Sequence, residues 1–110
     1  MTVRELGEAA GFTLLCGDGD RVLSGEVYCG DLLSVVMGRA PASCAWVTVM
    51  GNVNSVAVAV LTDAACIVLA EGMPLAADAL LRAEGKGIPV LGTGLPVFQA
   101  AMAAAGALGR

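Results

Sequence analysis

The chain contains no histidine, and its only lysine is Lys86. Without an imidazole neither a Ser-His-Asp nor a Cys-His catalytic arrangement can be assembled. Lys86 is left as the sole amine for base or Schiff-base chemistry, and it sits in Glu84-Gly85-Lys86-Gly87, where a solvated charge explains it more simply. Charge is scarce altogether. Charged residues make up 15% of the chain, six basic against ten acidic, for a net charge of −4 with no basic cluster. A nucleic-acid backbone would be repelled, which excludes nucleic acid as a partner.

Other absences narrow the field further. The glycine-rich pieces Gly17-Asp18-Gly19 and Gly92-Thr93-Gly94 match neither the phosphate-loop nor the dinucleotide fingerprint, and read as turns. Cys16, Cys29, Cys44 and Cys66 are 13, 15 and 22 residues apart, with no C-x-x-C pair and no histidine to complete a zinc site. No metal is expected, and the thiols, each in or beside an apolar run, are expected to behave as small hydrophobes free of structural disulfides. No apolar stretch of signal-peptide type follows Met1-Thr2-Val3-Arg4-Glu5, so the expected location is cytoplasmic. Residues 40–62 and 87–109 carry no charge and reach the length of a membrane span. Pro41, Gly51, Asn52, Asn54 and Ser55 interrupt the first, and Gly92, Gly94 and Pro96 the second, so each is read as a strand followed by a helix.

What the chain does have is apolar residues, 57% of 110. That length fits one domain, residues 1–110, with one core. The apolar excess implies a sheet covered on both faces, with apolar surface left over for a partner. A homodimer is expected, because the stretch from Val53 to Leu61 is apolar almost all round and needs cover on both sides.

The chain is organised around residues 45–72, two short apolar runs flanking a segment of crossover length. Before it, Thr2 and Glu5 form a capping box for a short helix with Leu6, Ala9 and Ala10 as its apolar stripe and Gly11 as its end. Thr13 to Cys16 reads as a strand, Gly17 to Asp20 as a turn, and Val27 to Cys29 as a short extended piece. Gly30 to Gly38 reads as a helix with Asp31 at its N-terminal end and Gly38 as its C-cap. Ala45 to Met50 is a strand. Gly51-Asn52 between valine-rich runs is a hairpin signal, with Val56, Val58 and Val60 alternating as strand residues would. Asn52, Asn54 and Ser55 are equally natural N-caps for a helical crossover, and the helix is the preferred reading. Ala65 to Ala70 is the next strand. Pro74 opens a helix faced by Ala76, Ala77, Leu80, Leu81 and Ala83 and stopped by Gly85, and Ile88 to Leu91 follows as a strand at an edge or with proline at its start. Pro96 opens a last helix with Phe98, Ala101, Met102 and Ala105 on its inner face. The alternation predicts an α/β fold, a three-layer α/β/α sandwich with a mostly parallel sheet of about five strands.

Gly30-Asp31-Leu32-Leu33-Ser34 with Val36-Met37, then Trp46-Val47-Thr48-Val49-Met50-Gly51-Asn52-Val53-Asn54 and Ala57-Val58-Ala59, resembles the DRTGG domain family. The likeness runs from about Val3 to Leu108. Members of that family stand alone or are appended to phosphotransacetylases and CBS-domain pyrophosphatases, and their fold is similar to the N-terminal domain of HPr kinase. The resemblance implies a single DRTGG-like domain with a regulatory or dimerising role and no chemistry of its own. The eponymous Asp-Arg-Thr-Gly-Gly run is not intact: Asp20-Arg21 is followed by Val22-Leu23 before Ser24-Gly25, and Glu26 stands where a second glycine would.

The candidate site lies past the carboxyl end of the central strand. There Asn52, Asn54 and Ser55 open a helix, with Thr93 after a later strand and Asp31 after an earlier one. A helix N-terminus offers N–H donors and partial positive charge, which suits a small anionic or nucleotide-type ligand. No catalytic residue and no cofactor is assigned. The expected function is a non-catalytic regulatory or ligand-sensing module that homodimerises and binds such a ligand or a partner enzyme. The alternative is a small enzyme acting on a phosphorylated or acyl metabolite through Asp31 and the asparagines.

Overall fold

The computed structural model describes all residues, Met1–Arg110. Its elements are α1 (Val3–Ala10), β1 (Thr13–Cys16), β2 (Val27–Cys29), α2 (Leu33–Arg39), β3 (Ala45–Thr48), α3 (Val53–Thr62), β4 (Cys66–Leu69), α4 (Ala77–Lys86), β5 (Val90–Gly92) and α5 (Val97–Ala107). The five strands form one sheet in the order β1-β5-β4-β3-β2, with β1 antiparallel to β5 and every other pair parallel. This is the expected α/β sandwich.

Every residue of β3 and β4 is buried. Parallel strands joined by helical crossovers must be covered on both faces, and the alternation of side chains divides their residues between two cores. Trp46, Ile67, Leu69 and Val90 face Val36 of α2, Val56, Val58 and Ala59 of α3, and Ala79 and Ala83 of α4. Ala45, Val47, Cys66, Val68 and Leu91 face Val3 and Leu6 of α1 and Ala100 and Ala104 of α5. In the second core α1 contributes Leu6 with Phe12 just beyond it, whereas α5 contributes only alanine to the fully buried set, which lets α5 lie close to the sheet.

The segment after Gly51 is the helix α3, not a hairpin. Asn52 caps it, accepting from the Ser55 N–H at 3.0 Å, and burial of Val56, Val58 and Ala59 against the sheet outweighs the strand preference of valine. Its far end turns through Asp63 in the left-handed region (φ 56°), with the Asp63 N–H donating to the Val60 carbonyl and the Ala64 N–H to that of Ala59. The same paired closure ends α4, where the N–H groups of Gly87 and Ile88 donate to Glu84 and Ala83. Gly87, with φ 66°, is therefore the stop rather than Gly85. Similarly α2 begins at Leu33 and ends at Arg39 with Ala40 as its C-cap, so Gly38 lies inside it. Pro89 precedes β5, which is an interior strand, so the proline marks a strand start.

Three helix faces differ from expectation. In α1, Val3, Leu6 and Gly7 are buried while Ala9 is exposed. In α4 the inner positions are Ala79 and Ala83, and Leu81 is 72% exposed. In α5 the inner positions are Ala100 and Ala104, on the opposite side of the helix from Phe98 and Met102, which are 69% and 59% exposed. In both α4 and α5 the residues turned inward are alanines, whose small side chains permit a close helix-to-sheet approach. The capping box of α1 forms as expected, with Thr2 N–H donating to Glu5 Oε1 at 2.9 Å and Glu5 N–H to Thr2 Oγ1 at 3.2 Å. Those bonds hold the Glu5 carboxyl below its ordinary range. Gly17 is required by contact: a Cβ there would lie 2.2 Å from the Ile88 carbonyl oxygen, and its φ is +88°.

Cys16, Cys44 and Cys66 are buried and Cys29 is exposed, and all four are free thiols. Burial pushes the Cys44 thiol up to about 11, and Cys66 higher still. An unfolded thiol titrates near ~8.5. Above that pH the unfolded chain releases protons that the folded chain retains, so stability falls as pH rises from about 8.5 towards about 11. Urea unfolding at stepped pH should show this alkaline loss in the wild type and a shallower slope in the Cys44→Ala, Cys66→Ala double variant; equal slopes would contradict it.

Candidate functional site

Because β2 to β5 are parallel, their carboxyl ends open on one edge of the sheet, and the connections leaving that edge hold every residue singled out above. Asp31 follows β2. It does not cap α2, whose N-cap Leu32 makes no side-chain bond; instead its carboxylate reaches across to the end of β3. Asp31 Oδ1 accepts from the Thr48 hydroxyl at 2.7 Å and from the Val49 N–H at 3.1 Å. Thr48 is fully buried and its hydroxyl in turn accepts from the Met50 N–H at 3.3 Å. Asp31 thereby fixes the turn that delivers Asn52 to the head of α3. Trp46 Nε1 donates to the Gly30 carbonyl at 2.9 Å and anchors the same loop from below.

Asn52 and Ser55 come together. Asn52 Oδ1 accepts both the Ser55 N–H and, at 3.3 Å, the Ser55 hydroxyl, and Ser55 is 1% exposed, so it supports the cap from inside. Asn54 points outward, and the N–H groups of Val53 and Asn54 find no acceptor in the protein. Gly51 allows the next connection to close over this turn: a Cβ there would stand 2.3 Å from the Pro74 carbonyl oxygen, and the Ala76 N–H donates to the Gly51 carbonyl.

Thr93 lies on the same edge but two strands away, roughly 10 Å at the usual strand spacing. It bonds locally, with the Leu95 N–H donating to its hydroxyl at 3.2 Å, and it is tied to the β4 connection by the Gly72 N–H. It does not meet the asparagines directly. Between them stands Glu71, which sequence reasoning missed, held at φ 62° with Oε2 accepting from the Val97 N–H at the head of α5. Only a positive-φ position after a strand, suggested by Glu71-Gly72, could have flagged it. The buried Thr48 was likewise not singled out.

The helix heads on this edge are electrostatically unlike. α5 has the Glu71 carboxylate at its first turn, and α4 carries Asp78 there. α3 is capped by a neutral amide and has no acid in its first turn, so its partial positive charge is uncompensated. Cys29, at the end of β2, is open to solvent on one side, but the packing around it desolvates its sulfur and, with the charge of Asp31 second, pushes the thiol up, so it is held as a thiol rather than an activated thiolate. No three His, Cys, Asp or Glu side chains gather in a metal-binding cluster. No helix of the structure is long and apolar enough to cross a membrane. The one concavity, a groove of about 270 Å³, lies elsewhere, between the outer faces of α3 and α4.

No protein-family model matches the chain. No curated protein matches it. Among solved structures it is similar to the CBS and DRTGG domains of the regulatory region of the Clostridium perfringens pyrophosphatase, crystallised with the activator diadenosine tetraphosphate. That similarity has a TM-score of 0.79 at 11% identity and covers 96% of this chain and 46% of that one. The chain thus spans about half the length of that structure, and what the two share is the fold.

Replacing Asp31 by alanine should strand the buried Thr48 hydroxyl and the Val49 N–H, lowering unfolding free energy by about 1–3 kcal/mol. Asp31→Asn, which keeps an acceptor, should lose clearly less. Denaturant titration of the two variants checks this, and equal losses would refute the clamp.

Proposed function

We propose that residues 1–110 form one DRTGG-like domain, a regulatory module that homodimerises and binds a small anionic, nucleotide-type ligand at the carboxyl edge of its sheet without transforming it. The observation that carries the reading is the head of α3, a ten-residue helix with no acid in its first turn, whose first N–H groups, of Val53 and Asn54, find no acceptor in the protein and lie beside the exposed Asn54 amide. The similarity in fold to a regulatory region complexed with a dinucleotide activator supports the same class of role.

The chemistry of the edge favours a nucleotide over a bare anion. Phosphate oxygens suit the N–H groups of Val53 and Asn54 and the Asn54 amide, with Asn52 and Ser55 holding the helix head in place. Asp31 puts a negative charge on the same edge, where its carboxylate could accept from a ribose hydroxyl while the phosphates lie toward the head of α3. Thr93, further along, is within reach of a ligand that extends across β4. The edge offers neither a histidine nor a lysine for acid–base work, and in this reading the module acts by occupancy, changing its own stability or its contacts with a partner enzyme.

Thermal-shift screening against mono- and dinucleotides should raise the wild-type melting temperature. Asn54→Leu, at an exposed position, should abolish that shift while leaving the unliganded melting temperature within about 2 °C, the effect of a surface change. Absence of a shift with every nucleotide, or a shift that survives in Asn54→Leu, would sink the reading, and turnover of a phosphorylated or acyl metabolite would favour an enzyme instead.

A further inference from the structure

The groove between α3 and α4 is lined by Ala57, Val60, Leu61, Arg82 and Lys86. α3 carries no charged residue, and the side it turns to water is apolar where a surface helix is ordinarily polar. Val60 is 39% exposed, Leu61 70%, and Leu81 on the neighbouring helix 72%. Along the side of α4 that borders the groove the charges are ordered at i, i+4 and i+8: Asp78 in the first turn, Arg82 in the middle and Lys86 in the last turn; the remaining charge of the helix, Glu84, lies on another side and accepts from the Gly17 N–H. None of the three belongs to any of the ion pairs of the protein, which are Arg4–Asp20, Arg21–Asp63 and Arg110–Glu26.

We propose that this face is where two copies of the chain meet, across a two-fold axis perpendicular to the helices, so that α3 packs on α3 and α4 on α4 in antiparallel pairs. The proposal rests on the homodimer reading above and assigns its surface. α3 and α4 each lead from the carboxyl end of one parallel strand to the start of the next on the same side of the sheet, so they run in the same direction. In an antiparallel pair, Asp78 of each copy lies toward the Arg82 and Lys86 end of the other, and the helix dipoles oppose favourably. A parallel pair would set Asp78 against Asp78 and Arg82 against Arg82. A second copy supplies both features that the face asks for, an uncharged apolar helix opposite α3 and the reversed order of charges opposite α4. This is the self-complementarity of an isologous interface.

The size is adequate. A standard interface takes about 800 Å² from each partner. The total accessible surface is 5105 Å² and the molecule measures 31 × 25 × 24 Å, so a whole face is of that order. Val35 of α2, 42% exposed, extends the apolar area beyond α3. The rival surface is the row Leu95, Phe98 and Met102 on the opposite layer. It is apolar and exposed, but α5 has no charge to set an orientation and no groove beside it.

Sedimentation equilibrium decides between them, with circular dichroism melts to verify folding of each variant. The wild type should be a dimer at about 10 μM, Leu61→Glu a monomer and Phe98→Glu still a dimer, because a charge buried at the centre of an interface is not tolerated. Asp78→Lys should weaken the dimer about tenfold, as should Arg82→Glu with Lys86→Glu, and combining all three should restore the affinity to within about threefold of the wild type. A dimer that survives Leu61→Glu, one lost only in Phe98→Glu, or no recovery in the triple variant would overturn this interface while leaving the homodimer reading standing. A monomeric wild type would overturn both.

Discussion

The parallel pairing of β3 with β4 is the constraint on which the rest depends. All eight residues of Ala45–Thr48 and Cys66–Leu69 are buried, in a register that sets Trp46 beside Ile67 and Val47 beside Val68. A parallel pair in the middle of a sheet cannot present a face to water, so helices must lie on both sides, and the connection between the two strands must itself be one of them. The charge-free stretch 40–62 follows from that demand. It holds the strand and its crossover helix together, and nothing in it needs to meet solvent except the outer side of α3. The two layers are unequal in character. Trp46, Ile67 and Leu69 face the three-helix layer, while the same two strands turn only alanine, valine and cysteine to α1 and α5, where Leu91 of β5 is the one large strand residue that is fully buried.

Much of this architecture was legible because buried parallel strands and capped helices leave local marks. Thr2 with Glu5, Asn52 before an apolar run, and Gly11 after one each state a boundary through a specific hydrogen bond or a left-handed angle. Other boundaries were misjudged where two residues could do the same work. Gly85 and Gly87 are both able to end α4, and what selects Gly87 is Ile88, 2% exposed, whose burial requires the chain to turn there. Phe98 and Met102 are large and spaced as an inner row, but Ala100 and Ala104 take that place, with Val97 and Leu108 packed beside them only at the two ends of α5. Size signals burial in sequence, whereas closeness of approach is a property of two elements together and cannot be read from either one.

The candidate edge was legible in position and not in wiring. That Asp31, Asn52 and Thr93 share an edge follows from the parallel direction of β2, β3 and β5, which alternation of strands and helices predicts. That Asp31 spends one carboxylate oxygen on Thr48 and Val49 does not follow, since the contact joins residues 17 and 18 apart in the chain. Glu71 is the clearest omission. Nothing in its neighbourhood says that its side chain ends at the head of α5, yet that contact is what makes the heads of α3 and α5 electrostatically different.

α3 therefore meets three demands with one ten-residue segment. Its inner side must fit between β3 and β4 from above, which calls for Val56, Val58 and Ala59. Its head must close the turn from Thr48, which calls for a cap that bonds its own backbone and leaves two N–H groups turned to solvent. Its outer side is then the only part left unspecified by the fold, and there the chain places Ala57, Val60 and Leu61 rather than lysine or glutamate. Polar residues at those positions would cost the fold nothing, since surface substitutions away from special features fall within about 0.5 kcal/mol. An apolar outer side where the fold is indifferent is what the proposed association would use, and because that side is continuous with the helix head, a ligand bound there as proposed would have a direct mechanical route to a partner packed along α3.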